Sequence, residues 1–180
     1  FRTPVEATDS VLMTPLGAAC QVGRSSLLIT TNESKVLIDC GINPGVSDPK
    51  LSFPRLDLDV FDLEMLDAVI ISHAHLDHCG YLPKLVAQGF KGKIFCTPGT
   101  RDLCTLVLPD SAHIQEEDAA FANRHGFSRH KPALPLYDEA QARQVLPQLR
   151  VAAPGRSLRI GEATVSFRRA GHILGAASIL

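Results

Sequence analysis

Leu66-Asp67-Ala68-Val69-Ile70-Ile71-Ser72-His73-Ala74-His75-Leu76-Asp77-His78 is the stretch on which the fold turns. Leu66–Ser72 is a short, nearly continuous apolar run, the pattern of a strand buried on both faces, as in a parallel sheet covered by helices. Three histidines and an aspartate follow within six positions. Imidazole nitrogens and carboxylate oxygens are the ligands that zinc takes. At the end of a strand, side chains two apart point the same way, so His73 and His75 are expected to chelate one ion together. Asp77 and His78 come after the chain turns, and are expected to face a second ion beside the first. A lone histidine would be a surface polar group. Four ligand-type side chains packed behind a hydrophobic strand are hard to account for that way. A closed structural zinc site usually includes cysteine ligands, and this cluster has none. Catalysis is therefore the better reading.

Two further places answer to this one. Ala170-Gly171-His172-Ile173-Leu174-Gly175-Ala176 sets a histidine between glycines, which permit close backbone approach or positive φ. With the first cluster present, His172 becomes the natural third ligand of the ion held by His73 and His75. In Val36-Leu37-Ile38-Asp39-Cys40-Gly41, a carboxylate ends an apolar strand, where it is costly unless paired. Asp39 either accepts hydrogen bonds from a metal-binding histidine and nearby backbone or is an ordinary strand-ending turn residue.

Around these segments the first half reads as strands at Val11–Leu16, Ser25–Thr31, Lys35–Asp39 and Lys93–Thr97, with a loop over 41–60. A helix is expected at Leu82–Gln88, stopped by Gly89. Residues 100–126 read as helical, interrupted by Pro109 and ended by Gly126. Asp138 and Gln141 form a capping-box pattern. Ser157–Ile160 and Ala163–Arg169 read as a hairpin about Gly161-Glu162, and Ala176–Leu180 as an unfinished strand. Residues 1–10 are expected to be a flexible lead-in. Strands and helices mixed in this order suggest a layered α/β fold.

The chain has 180 residues, 45% hydrophobic and 21% charged, with a net charge of −1. That is the balance of one globular domain. No apolar run is long enough to span a membrane. A near-neutral charge gives no support to nucleic-acid binding by the surface alone, so metal ions or another domain would have to supply a positive field. Cys20, Cys40, Cys79, Cys96 and Cys104 form no CxxC pair. They read as a set of buried, reduced thiols in a cytoplasmic protein. Cys79 adjoins the histidines and is the one thiol with a conceivable metal role.

The motifs together resemble the metallo-β-lactamase superfamily, whose HxHxDH signature stands here as His73, His75, Asp77 and His78. More narrowly the chain resembles the β-CASP ribonucleases. The matching stretches are Gly17–Ser26 (GAACQVGRSS), Ile38–Gly41 (IDCG), His73–Pro83 (HAHLDHCGYLP), Asp110–Asp118 (DSAHIQEED) and Ala170–Ala176 (AGHILGA). The resemblance implies a four-layer αββα sandwich, incomplete at the C-terminus, with metals at one edge of the sheets. It implies two zinc ions, with His73, His75 and His172 on one and Asp77 and His78 on the other. Asp39 becomes the first motif residue, and Asp77, His78 and Asp39 the catalytic set.

The implied activity is hydrolysis of RNA phosphodiester bonds by zinc-activated water. In such enzymes two metals about 3.5–4 Å apart offset charge on the phosphate. On this reading residues 11–180 are the N-terminal part of the domain. The bridging aspartate and the β-CASP domain are expected outside the stretch, leaving it weak or inactive by itself. The expected partners are RNA and the missing domain, with a homodimer through an exposed sheet edge as a further expectation. The alternatives are a thioesterase- or lactamase-type hydrolase and a non-catalytic scaffold of an RNA-processing complex. His113 reads as structural or surface. Asn123–Pro132 (NRHGFSRHKP) reads as a solvated loop, with Arg124, Arg129 and Lys131 within reach of phosphates if RNA passes there.

Overall fold

The computed structural model describes residues 10–46, 49–57, 61–128 and 130–180. The expected lead-in lies almost wholly outside the described residues.

A six-stranded sheet runs in the order β1 (Leu12–Gly17), β2 (Ser26–Thr30), β3 (Lys35–Ile38), β4 (Ala68–Ile70), β5 (Lys93–Cys96) and β6 (Leu149–Val151). The first two pairings are antiparallel, and β3 through β6 are parallel. The long crossovers between parallel strands carry the helices, as such connections must. A one-turn helix, α1 (Pro49–Ser52), falls between β3 and β4. Between β4 and β5 come α2 (Leu76–Cys79) and α3 (Leu82–Ala87). Between β5 and β6 come α4 (Pro98–His125) and α5 (Glu139–Val145). A second, antiparallel sheet is formed by β7 (Ser157–Ile160), β8 (Ala163–Arg169) and β9 (Ala177–Ile179).

The apolar run in β4 is buried on both faces, as its pattern predicts. Val69 and Ile71 join Leu37, Ile94, Leu82, Leu85, Cys104 and Leu108 in the core between the sheet and the helices. Ala68 and Ile70 join Val36, Val165, Phe167 and Ala177 in the core between the two sheets. Alternation along one strand thus builds two cores. The described residues make three layers (helices, large sheet, small sheet) of the expected four.

Most element boundaries agree with the sequence to within a residue or two. The hairpin turns at Gly161, where φ is +56°, and the capping box is made as expected: Gln141 N donates to Asp138 Oδ1 at 2.7 Å, and Asp138 N donates to Gln141 Oε1 at 3.1 Å.

Three readings need correction. Pro109 does not interrupt its helix, which is continuous from Pro98 to Gly126, the left-handed C-cap. Proline removes one helical hydrogen bond, but Leu108, Pro109, Ser111 and Ala112 are all buried, and that packing outweighs the loss. The loop over 41–60 contains α1. The strand expected to carry the first histidines ends at Ile70, and α2, not foreseen, begins at Leu76.

Candidate metal centre

The parallel strands deliver the site from their carboxyl ends, where open α/β sheets place ligands. Asp39 follows β3, Ser72–His78 follows β4, and Thr97 follows β5 as the N-cap of α4. The turn between β8 and β9 brings in His172.

His73, His75 and His172 converge. His73 Nε2 and His172 Nε2 each lie 3.1 Å from His75 Nδ1. One ligand atom from each of the three residues falls within 4.8 Å of the other two. Their rings meet edge to face, with centroids 4.8–4.9 Å apart. Tetrahedral zinc with Zn–N bonds near 2.0–2.1 Å spaces its nitrogens by about 3.3 Å. One proton on His75 Nδ1 can serve only one of its two neighbours, so hydrogen bonding alone leaves lone pairs facing each other. A cation resolves that, and the donor set fits zinc.

Since β4 stops at Ile70, strand alternation is not what aligns His73 and His75. They sit on an irregular segment, with His73 buried and His75 exposed, and the turn into α2 brings them together. His75 is itself the N-cap of α2.

Asp39 resolves in favour of the hydrogen-bonding reading. It is 4% exposed and has φ +58°, a conformation Asp tolerates better than most residues. Its carboxylate accepts from Ser72 N and Ser72 Oγ, both at 2.8 Å, and from His78 Nδ1 at 2.7 Å. Ser72 directs its hydroxyl proton to Asp39, so its oxygen accepts from His73 Nδ1 at 3.1 Å. In this assignment both His73 and His78 carry their protons on Nδ1. Nε2 of each is left as a lone pair, the form in which histidine binds metal.

His73 is held neutral. Burial pushes its pKa down to about 4, His78 adds to that, Asp39 opposes it, and His75 and His172 lower it further. At His78 burial also disfavours the charge, but the hydrogen bond and charge of Asp39, with Asp77, outweigh it and raise the pKa. His78 Nε2 lies 3.6 Å from Asp77 Oδ2, so these two side chains face one another next to the three-histidine cluster. The rings of His73 and His78 are 4.0 Å apart.

The backbone around the site is tightly fastened. Carbonyls of α2 accept from neighbouring loops: Leu76 O from Ile42 N at 2.9 Å, Asp77 O from Ser25 N at 2.7 Å, and His78 O from Cys40 N at 2.8 Å. Gly41 passes so close to Asp77 O that a Cβ there would collide with it. The His172 turn is fixed at Gly175, whose φ is +82°. Its carbonyl accepts from Thr97 Oγ1 at 2.6 Å and Thr100 Oγ1 at 3.0 Å, and Ala177 N donates to Ser72 O at 3.0 Å. Of the two glycines flanking His172, only Gly175 is required. A Cβ on Gly171 would meet open space.

Ser72, Thr97 and Thr100 were not singled out by sequence reasoning. Hydroxyls acting on carbonyls and ring nitrogens leave no spacing signature. Cys79 is buried and its thiol is hydrogen-bonded to Cys104 on α4, so it faces the core. His113 lies between Glu117 and Glu139, at 3.6 and 3.4 Å, apart from the cluster.

Residues 21–103 match the family model described as the metallo-beta-lactamase superfamily. That span holds Asp39 and the motif from His73 to His78, and His172 lies beyond it. The transcription termination factor FttA of Cenarchaeum symbiosum is 39% identical over 178 residues, covering 98% of this chain and 26% of the relative. FttA of Methanothermobacter thermautotrophicus is 38% identical over 98% of this chain and 26% of the relative. A ribonuclease of Thermus thermophilus is 32% identical over 92% of this chain and 34% of its own length. The chain thus spans about a quarter to a third of these relatives.

Among solved structures, the subclass B3 metallo-beta-lactamase MEM-A1 from a soil metagenome library gives a TM-score of 0.56 at 21% identity, over 93% of this chain and 53% of that one. A metallo-beta-lactamase of Cronobacter sakazakii gives 0.54 at 21%, over 93% and 55%. Those likenesses are of fold.

Proposed function

We propose, from the premise that this chain belongs to the metallo-β-lactamase superfamily, that it is the metal-binding part of a zinc-dependent ribonuclease of the β-CASP branch. The observation that carries the reading is the three-nitrogen convergence of His73, His75 and His172, with Asp77 and His78 facing each other beside it. His73, His75 and His172 would hold one zinc ion, and Asp77 and His78 would contribute to a second. Bound zinc supplies Lewis acidity, which acidifies water and offsets charge on phosphate oxygens.

The chain's own residues do the rest. Asp39 fixes the ring of His78 directly and that of His73 through Ser72, so that both present Nε2. Gly175, clamped by Thr97 and Thr100, sets the position of His172.

RNA is favoured as substrate by the long relatives, which are named as a ribonuclease and as termination factors. The test is single-turnover cleavage of end-labelled single-stranded RNA by zinc-loaded protein in excess, with a thioester assayed in parallel. The expected result is slow RNA cleavage that is abolished by chelation and by His75→Ala. Thioester turnover with the RNA left intact would overturn the reading and move the protein to small-molecule hydrolysis.

A further inference from the structure

The far end of α4 carries a feature that the metal centre does not use. Phe121, His125 and Phe127 form an aromatic ladder on the surface. Phe121 and His125 lie with centroids 4.1 Å apart, and His125 and Phe127 stack at 5.7 Å with an interplanar angle of 15°. The ladder is open to solvent: Phe121 is 49% exposed, Phe127 is 73% exposed and His125 is exposed. Exposed aromatics gathered in one contiguous patch, unlike those scattered singly, mark interaction sites.

The segment is fastened in place. Asn123 closes a pair of bonds with Ala133, accepting from its N–H at 2.7 Å and donating to its carbonyl at 3.0 Å. His125 Nδ1 pairs with Phe121 O at 3.0 Å. No acidic residue occurs between Asp118 and Asp138, so the carboxylates of Glu117 and Asp118 border the ladder only on the side one helical turn before Phe121. Arg124, His130 and Lys131 are exposed within that stretch. Stacking rings flanked by exposed cations are what proteins offer to unpaired bases and their phosphates.

We infer that Phe121, His125 and Phe127, with Arg124 and Lys131, form a stacking platform for single-stranded RNA, separate from the metal centre. This rests on the reading of RNA as substrate. The first turn of α4 touches the His172 turn through Thr97 and Thr100, and Phe121 lies about six helical turns further along. At the rise of an α-helix that places the platform about 33 Å from the metal centre along α4. The platform is therefore an anchor for long strands and is out of reach of short ones.

The chain contains no tryptophan, so Phe127→Trp gives a single reporter on the ladder. Its emission is expected to be quenched by an oligouridylate and little affected by an RNA duplex of the same length, whose bases are not free to stack. Phe127→Ala and His125→Ala should each weaken oligouridylate binding roughly tenfold or more while zinc content stays unchanged. Arg124→Ala and Lys131→Ala should each reduce the slope of log affinity against log salt by about 0.7.

Oligouridylate binding that neither alanine variant weakens, with unquenched emission from the Phe127→Trp reporter, would overturn the platform and leave the RNA reading standing. Equal quenching by the duplex would overturn base stacking. Failure of the unaltered protein to bind any RNA would overturn both.

Discussion

Asp39 shows how much a single residue decides. It follows a parallel strand, adopts a left-handed backbone, and accepts three hydrogen bonds that set the rings of His73 and His78. Replacement by asparagine would keep the backbone, since that residue tolerates positive φ, and its amide oxygen would still accept from Ser72. Its amide nitrogen would turn an N–H toward His78 Nδ1 and force the wrong tautomer. Asp39→Asn is therefore expected to fold with nearly unchanged Tm and to bind zinc 10–100-fold more weakly, measured by competition with a chromogenic chelator. Unchanged affinity would contradict the positioning role.

The thiols give a second residue-scale prediction. Burial and the Asp39 charge push Cys40 far up, burial pushes Cys96 to about 12, and Cys79 is raised by its hydrogen bond to Cys104 and by burial. Cys104 is also buried, whereas Cys20 departs from the expectation of five buried thiols and is exposed. Native protein should consume one equivalent of a thiol reagent quickly, and all five only when unfolded. A fast second equivalent would show that the helix–sheet core opens readily.

At the scale of elements, the metal centre depends on contacts between segments distant in sequence, and this is where legibility changes. The HxHxDH pattern, the buried strand before it, the hairpin and the capping box are local, and the chain states them outright. The meeting of His172 with His75 is tertiary. The glycines around His172 hint at it but do not distinguish Gly171, which is free to carry a side chain, from Gly175, which is not. Strand alternation is not what aligns His73 and His75, because β4 ends three residues before His73 and the turn into α2 does the aligning. Pro109 misled in the other direction, since local propensity gave way to burial on the sheet.

Two substitutions separate these effects. Gly175→Ala places a Cβ against Thr100 N and forces positive φ on alanine. It should displace His172, cost about 1–3 kcal/mol in urea unfolding, and reduce zinc affinity toward that of His172→Ala. Gly171→Ala should leave both unchanged. Similar behaviour of the two variants would mean that the Gly175 clamp does not position the histidine.

Over the whole molecule, the candidate ligands come from the segment after β4 in one sheet and from the β8–β9 turn in the other, so a metal bound among them would tie the two sheets together. A ligand that binds the folded state alone stabilises it by mass action, about 2.7 kcal/mol at a hundredfold excess over Kd. Zinc should raise Tm, and chelation should lower it to a value that His75→Ala shows with or without metal. A Tm indifferent to zinc would place any bound ion outside this junction.

The fold class was legible because alternating burial in β4 already requires a layer on each side. The number of layers was not, because it depends on residues that the local pattern does not reach.

The most direct test of the central claim is zinc per chain, measured by elemental analysis after equilibration and removal of free metal, with His75→Ala alongside. At least one zinc per chain, lost in His75→Ala, is the predicted result. No bound zinc, or zinc retained in full by His75→Ala, would contradict the three-histidine centre.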